Sequence, residues 1–293
     1  MKPAPRRVGT VERRGTGTNI GRGDCTESRK CKPTSEHKDR SVKSVGLLGS
    51  ELLGALCEAD QARLLPHLDA QTLRTGHIIH EPGEIVQHVY FPRNDALIAF
   101  LVPMADGETI EISMTGREGA VGGIVSEGQL PAFARCCVHH GGPFFRMPVA
   151  ALEEIKEKVP AVRMLFARYA DCMAAQLFQS IACNARHSIE QRAARWLCAA
   201  VNRTGSQEVT LTQAQLGGFL GVGRSYVTRI IGRLKDDGIL ATRRGAIIVL
   251  RPRKLRTLSC DCSALVAAHF RAVMAGLYPP EVVDALAACQ DGE

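Results

Sequence analysis

The segment Leu211–Leu234 admits very few folds. Thr212 and Gln215 stand at capping-box spacing, where each side chain takes the other's backbone N–H, so a short helix starts here. Gly221-Val222-Gly223 then suits a tight turn with an apolar plug. A second helix follows from Arg224. Helical periodicity gathers Val227, Ile230, Ile231 and Leu234 on one face, while Ser225, Thr228, Arg229 and Gly232 point the opposite way. A helix that is dry inside and small, polar and Arg-bearing outside fits a B-DNA major groove. Asp237-Gly238 ends it. Ile239–Thr242, the turn Arg243-Arg244-Gly245 and Ala246–Leu250 then read as a β-hairpin wing. The candidate DNA-contacting residues are Arg224, Ser225, Thr228 and Arg229, with Thr212, Gln213, Arg233, Arg243 and Arg244 around them. An αα-hairpin inside a larger core is the competing reading, and it leaves the wing unexplained.

Charge is segregated in the same sense. The 293-residue chain carries a net +7, but residues 186–256 alone carry +10, residues 1–45 carry +7, and the remainder carries −10. A basic block with a folded pattern beside an acidic remainder is the layout of a separate polyanion-binding module.

The longest unbroken apolar run, Ala96–Met104, has nine residues. A membrane span needs about 20. The basic N-terminus lacks the apolar stretch of a secretory signal, so the expectation is a cytoplasmic protein with no membrane partner. In that compartment eleven cysteines read as free thiols rather than a disulfide framework.

Along the chain, residues 1–44 hold almost no large apolar side chain and read as a disordered basic tail, or as a start placed too far upstream. Leu47–Leu68 is a short helical stretch. From Leu73 to Met147 short apolar segments (77–80, 86–91, 97–102, 109–114, 144–147) alternate with Gly/Pro turns, as in an antiparallel sandwich. After Pro148 the period becomes helical: a short helix over 150–159, stopped by Pro160, then a long one over 161–184. On the long helix Val162, Leu165, Tyr169 and Cys172 form one stripe, and Phe166, Met173, Leu177 and Ile181 form another. Two stripes suggest one face for the sandwich and one for a partner helix. The expected organisation is an α+β chain: a sensor sandwich over 45–149, a linker and dimerisation helix over 150–185, a winged helix-turn-helix over 186–256, and a helical extension over 257–293.

The sandwich opened by Pro82-Gly83-Glu84, the long helix, the helix-turn-helix and the wing together resemble the Crp/Fnr family of dimeric regulators, over about residues 47–251. The resemblance implies a cyclic-nucleotide-binding-like jelly roll, a homodimer on an inverted-repeat DNA site, RNA polymerase as a partner, activator or repressor action, and no enzymatic activity. In that family the second helix opens with a Ser-Arg-Glu-Thr-like tetrapeptide. Arg224 and Arg229 match its two base- or phosphate-reading arginines, and Ser225 replaces the Glu.

In the cyclic-nucleotide branch a Gly-Glu pair is followed by Arg and a hydroxyl residue. This chain offers Gly122-Gly123 and then Arg135-Cys136, without the carboxylate or the hydroxyl, so the expected effector is not cyclic AMP. The oxygen-sensing branch holds an iron–sulfur cluster with four cysteines. Here Cys25, Cys31 and Cys136 or Cys137 offer three, with Arg22 where the fourth would stand, so no cofactor is expected. Cys260-x-Cys262 with His269 lacks a fourth metal ligand, and the spacing of His77-x2-His80 and His139-His140 is wrong for a cupin-type metal site. The alternative function is an effector-binding signalling module, for a cyclic nucleotide or an iron–sulfur cluster, that does not itself bind DNA.

Overall fold

The backbone is mainly extended from Asp69 to Pro148 and mainly helical after it. The structure, a computed structural model, describes residues 49–105, 107, 109–124 and 128–277. No described helix is long and apolar enough to cross a membrane.

The first helical stretch breaks in two, α1 (Glu51–Gly54) and α2 (Glu58–Leu64), followed by a 3-10 turn at Leu65–His67. Cys57 is extended and interrupts the run, while Leu52, Leu53 and Leu64 are fully buried. Seven strands follow: β1 (Asp69–Leu73), β2 (Ile78–His80), β3 (His88–Pro92), β4 (Leu97–Pro103), β5 (Thr109–Thr115), β6 (Arg135–His140) and β7 (Gly142–Pro148). They form two antiparallel sheets, ordered β1-β7-β3 and β2-β6-β4-β5. Leu73, Ile98, Val121, Cys136, Val138 and Phe144 make one core cluster between them. At the turn after β2, Gly83 takes a left-handed φ of 85°, and the Glu84 carboxylate accepts from the Glu81 amide at 2.8 Å.

Strands β1 and β6 are additions to the sequence reading. In β6 the polar and Cys residues conceal the strand because both faces are covered. Cys136 and Val138 point into the sandwich, while His139 packs outward on Trp196 and Phe219. Strand β4 shows the same cause with apolar residues. Ile98 faces the sandwich core and Leu97 joins the winged-domain core, so the strand reads as a continuous apolar run rather than an alternating one.

Helix α3 (Val149–Lys158) leads to α4 (Pro160–Arg186), 27 residues or roughly 40 Å long. The stripe Val162, Leu165, Tyr169 and Cys172 is buried against the body as expected. Phe166 departs from the second stripe: it is 1% exposed and meets Phe91 edge-on at 6.2 Å. Met173 is half-buried against the same core, and only Leu177 and Ile181 of that stripe are exposed, beside Phe178.

Ser188 and Gln191 form a capping box at the start of α5 (Ile189–Thr204), which ends at the left-handed Gly205. Then come β8 (Glu208–Val209), α6 (Gln213–Leu220), α7 (Arg224–Asp236), β9 (Leu240–Arg243) and β10 (Ala246–Val249). The wing is a three-stranded sheet, β8-β10-β9, one strand more than the sequence suggests. Helices α8 (Pro252–Leu258) and α9 (Cys262–Met274) follow. Helix α9 runs back along α4: Gln179 Nε2 donates to Cys262 Sγ at 3.1 Å at one end, and Arg168 donates to the Val273 carbonyl at 3.2 Å at the other. The extension expected over 257–293 is described as far as residue 277; the rest lies outside the described residues.

The winged domain is docked on the sandwich. Leu97 and Met114 share a core cluster with Trp196, Leu216 and Ile230. Trp196 Nε1 donates to Glu111 at 2.8 Å, Arg203 pairs with Glu118 at 2.8 Å, and Arg117 donates to the Arg203 carbonyl at 2.8 Å.

Candidate nucleic-acid interface

Helix α6 starts as the sequence demands: Thr212 accepts from the Gln215 amide at 3.1 Å, and Gln215 accepts from the Thr212 amide at 2.9 Å. It ends at Gly221, whose left-handed φ of 67° closes the turn. The Val222 amide then donates back to the Gly217 carbonyl at 2.9 Å. A Cβ on Gly217 would sit 2.7 Å from the Val222 carbonyl oxygen, so the close approach of turn and helix requires glycine there. Arg192 of α5 donates to the Leu220 carbonyl at 3.0 Å and satisfies the end of α6.

Helix α7 buries Val227, Ile230, Ile231 and Leu234, the four residues that periodicity places inward. Arg224, Ser225, Thr228 and Arg229 are exposed on the other side. The N-cap is Gly223, which offers no side-chain acceptor; within the first turn the Tyr226 amide donates to the Gly223 carbonyl at 3.0 Å instead. Thr228 Oγ1 donates to Gln213 Oε1 at 2.8 Å, joining the start of α6 to the outer face of α7. The Arg229 guanidinium lies 4.8 Å over the Tyr226 ring, which pre-orders it.

The remaining candidates divide. Arg233 pairs with Glu190 of α5 at 2.7 Å, and Tyr226 Oη donates to the same oxygen at 3.3 Å. A backbone hydrogen bond, then Arg233, holds the Glu190 carboxyl below its ordinary range. Arg243 pairs with Glu208 across the wing. Arg244 is exposed at the tip, beside Gly245 with φ 76°. Gln213, Arg224, Ser225, Thr228 and Arg229 therefore form one outward surface, with Arg244 at the wing. Thr212 caps α6, while Arg233 and Arg243 are engaged by carboxylates. Sequence reasoning missed Tyr226, Glu190 and Glu208. Tyr226 lies on the helix flank, and the two carboxylates arrive from other elements, so no local pattern marks them.

On the sandwich, Arg135 donates to Glu81 at 2.7 Å and Cys136 is fully buried, its thiol pushed well up by burial. A Cβ on Gly122 would meet the His88 carbonyl at 2.4 Å, and one on Gly123 would meet Val149 at 2.6 Å. These glycines pack the turn onto β3 and α3. A cavity of about 300 Å³ lies elsewhere, bounded by Glu111, Ser113, Tyr169, Gln176, Arg195 and Phe270 among others, and none of the four expected effector residues lines it. Cys25 and Cys31 lie outside the described residues. No disulfide joins any of the eight described cysteines.

Residues 191–258 match the Crp-like helix-turn-helix domain. Solved structures add a likeness of fold. The c-di-GMP responsive global regulator CLP of Xanthomonas campestris is 14% identical, over 66% of this chain and 99% of its own, with a TM-score of 0.55. FixK2 from Bradyrhizobium japonicum is 18% identical, over 66% and 98%, with a TM-score of 0.55. A protein from Eubacterium rectale, described as a transcriptional regulator of the Crp/Fnr family, is 18% identical, over 71% and 96%, with a TM-score of 0.51. No curated protein matches the chain in sequence.

Proposed function

For a chain with the fold of Crp/Fnr regulators and a Crp-like helix-turn-helix domain, we propose a transcription regulator that binds double-stranded DNA as a homodimer. The observation that carries this reading is the outer face of α7. Its four polar residues stand clear of the body while the opposite face supplies the core of the winged domain. Arg224 and Arg229 read base edges or phosphates, and Ser225 gives the helix a base preference different from a Glu at that place. Arg244 adds a phosphate contact from the wing.

The second copy docks along α4. Met164, Phe178 and Ile181 are exposed, and with Ala167, Asp171, Ala174 and Ala185 they follow alternating steps of three and four residues. That is the spacing of a two-helix seam. Two copies joined there would present their α7 helices to half-sites about 34 Å apart, hence an inverted repeat. An effector other than cyclic AMP or cyclic GMP fits Arg135 being engaged by Glu81 and Gly123 being packed on Val149.

The test is the salt dependence of binding to duplex DNA. Log K falls steeply with log salt when several phosphates are neutralised. Arg224→Ala and Arg229→Ala each weaken specific binding by about 1–3 kcal/mol, about five- to 150-fold, without changing the unfolding curve. A flat salt response, or variants that bind as the parent does, would refute the reading and favour a module that does not touch DNA.

A further inference from the structure

The end of α4 and the start of α9 bring together four side chains that the helix-turn-helix does not use. Cys183 lies in the last turn of α4, and His187, four residues on, is the residue that caps its C-terminus. Cys260 and Cys262 come from the α8–α9 junction, 77 and 75 residues from their partners. Cys183 Sγ lies 3.6 Å from Cys260 Sγ, and Cys262 Sγ lies 3.4 Å from His187 Nδ1. All four ligand atoms are within 4.8 Å of one another. The three cysteines are buried, at 0%, 6% and 2% exposure, and form a cluster of their own.

We propose that Cys183, His187, Cys260 and Cys262 hold a zinc ion that ties the C-terminal segment to the joint between the long helix and the winged domain. With Zn–S near 2.3 Å and Zn–N near 2.0–2.1 Å, a tetrahedral ion separates its ligand atoms by about 3.5–3.8 Å, so the two close pairs already stand at that spacing. Three sulfurs and one imidazole nitrogen are a donor set for zinc rather than for a hard cation. Four protein ligands leave no open position, which makes the site structural. A disulfide would account for only two of the four convergent residues.

The surroundings suit the ion. Three thiolates and one imidazole on a divalent ion leave a net charge of −1. Arg195 of α5 faces Cys183, and Arg192 faces Cys183 and Cys260. Arg195 Nε is buried without a hydrogen-bond partner. Gln179 donates to Cys262 Sγ at 3.1 Å and would orient that sulfur.

The sequence motif Cys260-x-Cys262 is completed by Cys183 and His187, not by His269, which is exposed on α9. His187 is the C-cap of α4 and Ser188 the N-cap of α5. An ion there sets the angle at which α5 leaves α4, whatever DNA the winged domain binds.

The test uses the full chain purified under reducing conditions. Metal analysis should return one zinc per chain, released by a thiol-specific mercurial. Cobalt(II) replacement should give thiolate-to-cobalt charge transfer and the strong visible bands of a tetrahedral site. Cys260→Ser and Cys262→Ser should weaken zinc binding by more than about tenfold, while Cys57→Ser, an exposed thiol elsewhere, should not. A parent chain that takes up neither zinc nor cobalt overturns the proposal. So does a cobalt spectrum without thiolate charge transfer, zinc retained by both serine variants, or a Cys183–Cys260 disulfide formed in place of metal uptake. If the serine variants do not fold, the cobalt spectrum of the parent decides alone. DNA binding enters none of these readouts, so failure here leaves the proposed function standing.

Discussion

Replacing Glu111 with glutamine isolates the charge state of the seam between sandwich and winged domain. Glu111 is buried on β5, accepts from Trp196 Nε1 at 2.8 Å through one oxygen, and has no hydrogen-bond partner for the other. Burial is the largest influence on its carboxyl, and the Trp196 hydrogen bond and Arg203 only partly oppose it. The pKa rises from an ordinary 4.5 to about 8, so the group keeps its proton through neutrality. The folded state therefore binds more protons than the unfolded chain between those values. Its contribution is complete below about pH 4.5 and is lost as pH rises through 8. At about 1.4 kcal/mol per pH unit the whole window is worth about 5 kcal/mol, of which about 3 falls between pH 5.5 and 8. Glutamine keeps an acceptor for Trp196 and cannot ionise. Glu111→Gln and the parent should unfold alike at pH 5.5. At pH 9 the variant should be more stable by about 3 kcal/mol or more, roughly 10 °C in Tm for a chain of this size. Urea and thermal unfolding at the two pH values measure this. Parallel pH profiles for the two proteins would refute the reasoning.

His139, at the other side of Trp196, works in the opposite direction: burial, then His140, lowers its pKa from 6.5 to about 4, so its contribution is present above pH 6.5 and lost as pH falls through 4. His139→Gln should move the acid-unfolding midpoint to lower pH, and an unmoved midpoint would contradict this. Phe178→Glu with Ile181→Glu should give a folded monomer by sedimentation with weak affinity for an inverted repeat, whereas Leu165→Glu should unfold the chain, because Leu165 is fully buried in its own core. Gly217→Ala should cost about 1–3 kcal/mol, since the added carbon meets a backbone carbonyl rather than a flexible side chain, and a shift in Tm of less than about 2 °C would show that the turn relaxes freely.

Docking of the winged domain joins these effects. Glu111, His139, Trp196 and Phe219 come from four elements, and Trp196 stacks on Phe219 at 5.1 Å. Glu118 and Arg203 add a pair that is 8% and 15% exposed, where loss of one partner leaves a buried charge.

What the sequence determined by itself is local. Helix α7 could be read because its start, turn and inner face lie within one short segment, and side chains three and four residues apart must share a face. The capping boxes at Ser188 and Thr212 are local for the same reason, although only the second stands out beside a turn motif. Tertiary structure decided whatever depended on distant partners. Strand β6 became legible only once the winged domain covered its outer face, because two covered faces abolish alternation. Phe166 shares a sequence stripe with the exposed Leu177 and Ile181, yet it packs on Phe91 in the core. The carboxylates that pair with Arg233 and Arg243, Glu190 and Glu208, come from other elements, and no pattern local to α7 or the wing marks them. Cys260 and Cys262 met Cys183 and His187 only because α9 folds back along α4. Periodicity records which face of an element is buried, and it carries no record of which residue elsewhere in the chain does the burying.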